Sequence, residues 1–491
     1  MLLASFATIR TMRMPRKEAK SMADIGLENE RLIMEKLPEY TDLVKKKQAL
    51  QETEKIFRSL EDMPQRSKKW QDFLYMPLLT KPKTDYRSVV PVTIDKNNRV
   101  RPYWKSLLEQ ALKPLDELEH VSVADYGAVG DGKTDCTEAF KAAIGKGNRR
   151  VFVPEGIYRV RGLKLPSHTA LIGSGVERTT LKLADGAPKK EKLITNQNYV
   201  KGNQYLKISD LTLDWNVERL SKNEKTSAGG TSSSGITLAH IQFACIQRVK
   251  IINPGLHGVD ITSIRYNYFG DGRRSVLGSR FVWVDQVEAS GFGDDGITTH
   301  HSDDIWISNS YLHHPSGRAH EKGYSNSNGI EVDDGSQHVV LSNNRTAYCF
   351  GGVEIKAHAT SSAASDTQII GHYSKQDNRA YNFRHIGHHR DEDQYSQSAY
   401  SIRATYLVAD SPQKTELYVG STPRALVVSA YQKVAVHHFA AIETSLEKDP
   451  IAISVQYRAN QVRLKNVQLK GYERAGNPIR IARTTENIKI E

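Results

Sequence analysis

Five tetrads in the middle of the chain share one pattern: Gly235-Ile236-Thr237-Leu238, Gly258-Val259-Asp260-Ile261, Gly296-Ile297-Thr298-Thr299, Gly329-Ile330-Glu331-Val332 and Gly352-Val353-Glu354-Ile355. A glycine is followed by an apolar residue, a polar one and, in all but one tetrad, another apolar one. Successive glycines lie 23, 38, 33 and 23 residues apart. A base period near 23, with insertions of about 15 and 10 residues, is the signature of a solenoid. The alternation has period two, so each repeat contributes strand rather than helix, with apolar positions inward and polar ones outward. The insertions fall in "IRYNYFGDGRRSVLG" and "HHPSGRAHEKGYSNS", both rich in turn formers. Such loops project from a solenoid and wall its binding face. The pattern specifies a mainly β chain wound as a right-handed parallel β-helix.

Residues 1–118 have a different texture. "KSMADIGLENERLIMEKL" has the 3.6-residue periodicity of an amphipathic helix, with Leu27, Met34 and Leu37 on or near its apolar face, and Pro38 ends it. A second helix is expected across "TDLVKKKQALQETEKIFRSLEDM", where Leu43, Leu50 and Phe57 recur every seven residues, although the intervening positions are too polar for a strong coiled coil. "WKSLLEQALKPLDEL" reads as a shorter third helix. This region suits an adaptor or docking role. From residue 119 to 491 the chain is β-rich; its first turn, "VSVADYGAVGDGKTDCTEAFKAAI", runs from strand to helix, with Asp135 and Glu138 spaced as a capping box.

Stacking turns the repeat into a map. Equivalent residues of successive coils lie about 4.8 Å apart. Two places after each glycine stand Asp260, Thr298, Glu331 and Glu354, and four places after stand Thr262, His300, Asp333 and Lys356. Asp294 and Asp295, in "GDDGITTHH", occupy the turn beside them. Asp294, Asp295, His300, Glu331, Asp333 and Glu354 are therefore the catalytic candidates. Like charges one rung apart are expected to raise the pKa of either Glu331 or Glu354, which a general acid requires. His300 beside Asp333 is an oriented imidazole, and Lys356 a positive charge for an anionic group. His313, His314, His320, His358, His385, His388 and His389 thicken the region. Asp, Glu and His suit magnesium, manganese or zinc, yet no fixed ligand spacing appears, so a divalent cation stays open and no other cofactor is implied.

With 38% hydrophobic and 25% charged residues the chain is a folded one. No apolar run nears the roughly 18–20 residues that span a bilayer, so membrane insertion is not expected. The start, "MLLASFATIRTMRM", is a poor signal peptide or lies upstream of the true start. Cys136, Cys245 and Cys349 have no metal-like spacing and read as buried thiols of a chain folded in a reducing compartment. The net charge of +12 favours a polyanionic partner; without a nucleic-acid motif, an acidic surface polymer fits better than nucleic acid.

"VADYGAVGDGKTDCTEAFKAAI" followed by "VFVPEGIYRV" resembles the opening segment of the pectate-lyase-like superfamily, which includes polygalacturonases and phage tail spikes. "GDDGIT" is similar to the polygalacturonase paired-aspartate motif. "GVEIKAH" matches their Arg-Ile-Lys motif at Lys356 only, since Glu354 stands where the family has arginine, and their Gly-His-Gly motif has no equivalent. That departure argues against a galacturonate substrate. A nearer likeness is to the pre-neck appendage and tail-spike proteins of phages of Gram-positive hosts, carried by "FGDDGITTHHSDD", "HHPSGRAHEKGYSNSNGIEVDDGS", "GGVEIKAH" and "NFRHIGHH". That resemblance implies a homotrimeric virion appendage that is made in the host cytoplasm. It would attach to phage tail or neck proteins through residues 1–118 and hydrolyse host cell-wall teichoic acid at the cell surface. Lys356, His358, Arg318, Arg384 and His385 would hold the anionic chain. The last residues, "ENIKIE", read as a strand, so a C-terminal trimerisation module is absent, cleaved or encoded elsewhere. Capsular-polysaccharide glycosidase or lyase chemistry, a receptor-binding spike without chemistry, and a secreted pectinase-like enzyme remain open beside it. For a glycoside, carboxyls about 6.5–9.5 Å apart would invert and a pair nearer 5 Å would retain.

Overall fold

The computed structural model describes residues 22–62, 80–81, 85–265, 270–390, 392–445 and 449–491. The start of the chain and most of the Pro- and Lys-rich stretch after residue 62 lie outside the described residues. From about residue 119 the chain winds into a parallel β-helix. One sheet has 11 short strands in sequence order, from Leu163–Leu165 to Ile479–Ile481. A second, 17-stranded sheet is built on long strands such as Ile241–Ile252, Gln337–Ala347, Tyr400–Asp410 and Asn460–Lys470. Pairing is parallel throughout both sheets.

The core lies between these sheets. Ile297, Ile330, Val353, Tyr381, Leu426 and Ile453 are successive Cα partners with no exposed surface. Burying each such side chain contributes about 1.5–3 kcal/mol before entropy is counted. Each long strand turns a corner at a residue in the left-handed region. Asp210, Arg248, Gln286, Asn343, Gly371, Tyr406, His438 and Asn466 adopt φ of 52–77°, most of them directly above one another. This conformation costs any residue with a Cβ roughly 1–2 kcal/mol, so the corners are held by the ladder on either side.

The glycines of the repeat answer a close approach between coils. A Cβ on Gly258 would stand 2.4 Å from Gly296 O, and one on Gly296 would stand 2.5 Å from Gly329 O. The repeat continues past Gly352 for four more coils, where register puts Ala380, Ala425, Ala452 and Pro478 at the glycine position. The sequence pattern fades there because its marker residue changes, while the coil persists.

The N-terminal segment lies along the outer face of the long-strand sheet. The first helix, Met22–Met34, packs beside Ser365–Lys375, and the second, Leu43–Arg58, beside Gln432–Ile442 and Tyr400–Asp410. A third, Lys105–Leu112, returns to Asn203–Asp214 and Ile241–Ile252. The face of the first helix differs from the expected one. Ile25, Asn29, Ile33 and the following Leu37 are buried, whereas Leu27 is 66% exposed and Met34 lies at the edge. Asn29 belongs to that face because its amide donates to Ser310 O at 3.1 Å and Asn343 O at 2.9 Å. The helix Thr137–Ile144 begins one residue later than its expected cap. Cys136 holds the N-cap position, while the Asp135 carboxylate accepts from Thr137 N–H at 3.0 Å. All three cysteines are free and buried. Among the described residues no helix is long and apolar enough to cross a membrane.

Candidate active site

The register read from the glycines is the register of the fold. Thr237, Asp260, Thr298, Glu331, Glu354 and Asn382 are successive Cα partners along the short-strand sheet. Lys356 pairs with Arg384 in the neighbouring column. His300 and Asp333 follow in that column: His300 N–H donates to Ile261 O at 2.9 Å and Asp333 N–H to Thr299 O at 3.0 Å. These side chains point away from the core, yet they are buried beneath the loops that cross this face.

Buried charges persist only when paired, and here they alternate in sign. Asp260 Oδ1 is 3.4 Å from His300 Nδ1, whose Nε2 is 3.6 Å from Asp333 Oδ2. Lys356 Nζ stands 3.7 Å from that oxygen and 2.7 Å from Glu331 Oε1. Glu331 also accepts from Asn328 Nδ2 at 2.9 Å and Thr298 Oγ1 at 3.3 Å. Glu354 is bound by Arg384 and by Asn382 Nδ2 at 3.0 Å. Burial alone would push His300 down, but Asp260, Asp333 and Asp334 outweigh it and hold the imidazole up to about 9. The same contest holds Lys356 well above the ordinary lysine range: burial opposes the charge and Asp333, Glu331 and Glu354 favour it.

Glu331 and Glu354, expected to crowd each other, stand on adjacent rungs, and each has its own cation. The raised carboxyl is Asp295, one position before Gly296. Burial, then the charges of Asp294 and Glu331, push it well above the usual carboxylate range. Asn328 N–H donates to its Oδ1 at 2.9 Å, and His257 Nδ1 lies 3.4 Å from its Oδ2. Asp294 goes the other way. Burial would raise it, but His320 Nε2 at 2.8 Å, with the charges of His257, His320 and Lys356, holds it at about 2. One carboxylate oxygen from each aspartate and a His257 nitrogen all lie within 4.8 Å of one another. Adjacent in sequence, the two carboxyls are driven apart in proton affinity, which is the arrangement an acid paired with a base requires.

Both insertions wall this face. Loop 313–327 brings His320 to Asp294, and its Arg318 guanidinium donates to Ser221 O at 2.8 Å and Glu224 O at 3.2 Å. Arg318 thus fastens one loop to another. The earlier insertion crosses the opposite edge. Its Asp271 accepts from Ser398 Oγ and from Gln397 N–H at 2.6 Å and meets His388 Nε2 at 3.1 Å. His385 belongs to that clasp: its nitrogens meet Ser396 Oγ at 2.8 Å and Ser361 O at 3.0 Å, away from the acidic patch. His358 stays at the rim, with Nδ1 3.0 Å from Asp334 Oδ2. Lys356 and Arg384, expected to meet an anionic chain, are the internal counter-ions of Glu331 and Glu354.

Sequence reasoning missed His257, Asn328, Asp334 and His320's contact with Asp294. His257, Asp295 and Asn328 each precede a repeat glycine by one residue, so their shared column was open to reading. Asp334 directly follows Asp333, and its carboxylate accepts from His358 N–H at 3.1 Å and from Ser361 Oγ.

Residues 120–354 match the family model described as rhamnogalacturonase A/epimerase, pectate lyase-like. The pre-neck appendage protein of Bacillus phage phi29 is 43% identical over 379 residues, covering 75% of this chain and 43% of that protein. The chain belongs to the pectate-lyase-like β-helix proteins, with phage pre-neck appendage proteins as close homologues. The putative phage-related protein YobO of Bacillus subtilis (strain 168) is also 43% identical, over 376 residues that cover 75% of this chain and 46% of its own. The crystal structure of the pre-mature bacteriophage phi29 gene product 12 superposes with a TM-score of 0.70 at 40% identity, covering 77% of this chain and 49% of that one. This pectate-lyase-like chain spans about half the length of the relatives it matches.

Proposed function

We propose that the protein is a virion appendage whose β-helix binds and hydrolyses a host cell-wall glycopolymer, with Asp295 as the acid and Asp294 as the base of the cleaving step. The observation that carries this reading is the asymmetry of those neighbours: His320 Nε2 stands 2.8 Å from Asp294 and holds it low, while burial and the charges of Asp294 and Glu331 push Asp295 up. A proton passes from Asp295 to the oxygen of the leaving chain as its bond breaks, while Asp294 takes a proton from the attacking water. Glu331, fixed by Lys356, Asn328 and Thr298, adds its negative charge to the burial and the Asp294 charge that push Asp295 up. Glu354, His300 and Asp333 support this charge pattern from the next rungs.

Teichoic acid, a polyol phosphate, is the first substrate in this reading. The similarity to appendage proteins of Bacillus phages and the net charge of +12 both favour a wall polyanion. A glycosidic bond is the second: carboxylate oxygens of Asp294 and Asp295 lie within 4.8 Å of each other, the shorter spacing, at which Asp294 would act as nucleophile beside the acid Asp295. The reading also gives residues 1–118 the task of attachment to the phage neck or tail, and the appendage a homotrimeric assembly.

Purified protein incubated with Gram-positive cell walls tests it, with released phosphate esters and reducing ends assayed in parallel. Phosphate esters that disappear with Asp295→Asn and Glu331→Gln are the expected result. Reducing ends without phosphate esters move the substrate to a glycan, and wall binding without release of either overturns the hydrolase.

A further inference from the structure

Lys356 and Arg384 are paired with Glu331 and Glu354, Arg318 with backbone carbonyls and His385 with a loop clasp, while His358 stays at the rim; a further cationic feature lies along the same sheet. The column that carries Asp295 supplies it. Asn328, Gly351, Arg379 and Arg424 are successive Cα partners in the position before the repeat glycine or alanine. Arg379 and Arg424 thus stand one above the other, both half-buried. Among the described residues neither has a carboxylate within 4.0 Å, although Arg384 has Glu354 and Arg480 has Asp449 at 3.6 Å. Arg379 donates through Nε to Ser421 Oγ at 3.4 Å, and Arg424 to Ser454 Oγ at 3.2 Å and Pro423 O at 2.6 Å. Burial, then the neighbouring guanidiniums of Arg424 and Arg384, lower Arg379 to about 10; burial and Arg480 lower Arg424.

On the rung between Asn328 and Arg379, Gly351 yields its side-chain space to the Asn328 carboxamide, which fills it. Along the column's edge, loops 313–327 and 411–423 are joined by Ser325 N–H to Leu417 O and Val419 N–H to Gly323 O, both 2.8 Å. That junction presents Tyr324, 63% exposed, and Tyr418, whose ring lies 5.1 Å from that of Phe350. The second loop also supplies Ser421 to Arg379. A like-charged pair of half-buried guanidiniums beside this loop junction, without a counter-ion of its own, is complementary to an oxyanion that it can hold through forked hydrogen bonds.

We infer that Arg379 and Arg424 form an oxyanion subsite for the polymer, three to four rungs, about 14–19 Å, along the β-helix axis from Asp295. It rests on the reading of this face as the polymer site and adds the point at which the uncleaved chain is anchored. The phosphate of a polyol-phosphate chain and the carboxylate of a uronate chain share the chemistry, and the probes below separate them.

The test is calorimetric binding of poly(glycerol phosphate) and of polygalacturonate to Asp295→Asn protein, with and without Arg379→Gln/Arg424→Gln. Affinity for one of the two polymers is expected to fall at least tenfold with the glutamines, and Arg379→Lys/Arg424→Lys to restore most of it. Circular dichroism checks that each variant is folded. Equal affinity with and without the arginines overturns the subsite, as does the absence of binding by either polymer. Arginine-dependent binding by a parent protein that cleaves nothing retains the subsite and overturns the hydrolase instead.

Discussion

His320 Nε2 stands 2.8 Å from Asp294 Oδ1, and the two come from different coils: Asp294 from the turn before a repeat strand, His320 from the loop inserted one coil later. The contact ties the proton affinity of the proposed base to the position of a surface loop. His320→Ala removes the contact that most strongly lowers Asp294. The acidic limb of the rate–pH profile of wall cleavage should then move to higher pH, with the alkaline limb, set by Asp295, moving less. A profile shifted on neither limb would remove Asp294 from the chemistry.

His300 gives a stability prediction. Its folded pKa of about 9 lies above the ordinary 6.5 of an unfolded chain, so the protonated form favours folding. That contribution is fully present below pH 6.5 and is lost as pH rises through 9. For a shift of this size it is on the order of 3 kcal/mol. Denaturant midpoints of the parent should fall between pH 6.5 and 9.5 by more than those of His300→Gln.

Lys356 is a structural cation before it is anything else. Lys356→Met leaves Glu331 and Asp333 buried without their ammonium and should destabilise by about 3–5 kcal/mol. Adding Glu331→Gln should recover part of the loss, because the two residues are in contact. Chemical denaturation of the two variants measures both effects; additive losses would mean that the 2.7 Å ion pair contributes nothing.

Metal removal has an expected outcome too. Lys356 already supplies the positive charge between Glu331 and Asp333, and His320 does so for Asp294. Dialysis against chelator should leave wall-cleaving activity and the thermal midpoint unchanged. A loss that magnesium, manganese or zinc restores would instead assign an ion to one of the clusters whose ligand atoms are close enough to share one, among them His257, Asp294 and Asp295.

The β-helix, its register and the gathering of Asp294, Asp295, His300, Glu331, Asp333, Glu354 and Lys356 were legible because a glycine marks each coil. In a ladder with period two, the marker fixes every neighbour. Two kinds of information were not carried by the pattern. Polarity along a strand distinguishes inward from outward but not outward from solvated. The glutamates therefore read as a repelling pair when Lys356 and Arg384 in fact neutralise them separately. The anionic-chain contacts were assigned by charge alone, and charge does not reveal that Arg318 ends on backbone carbonyls or that His385 turns into a loop clasp. Arg379 and Arg424 escaped notice for a third reason: alanine replaces glycine after them, which hides their coil.

The N-terminal helices lie across the coils, not stacked on the first one. The second helix packs on strands as late as Gln432–Ile442, and the third returns to Asn203–Asp214. A pull on the first helix would therefore load the middle coils and then, through the second helix, the late ones, and be resisted by shear along three helix faces. An assembly tethered this way would bear load along its flank instead of unravelling rung by rung from one end.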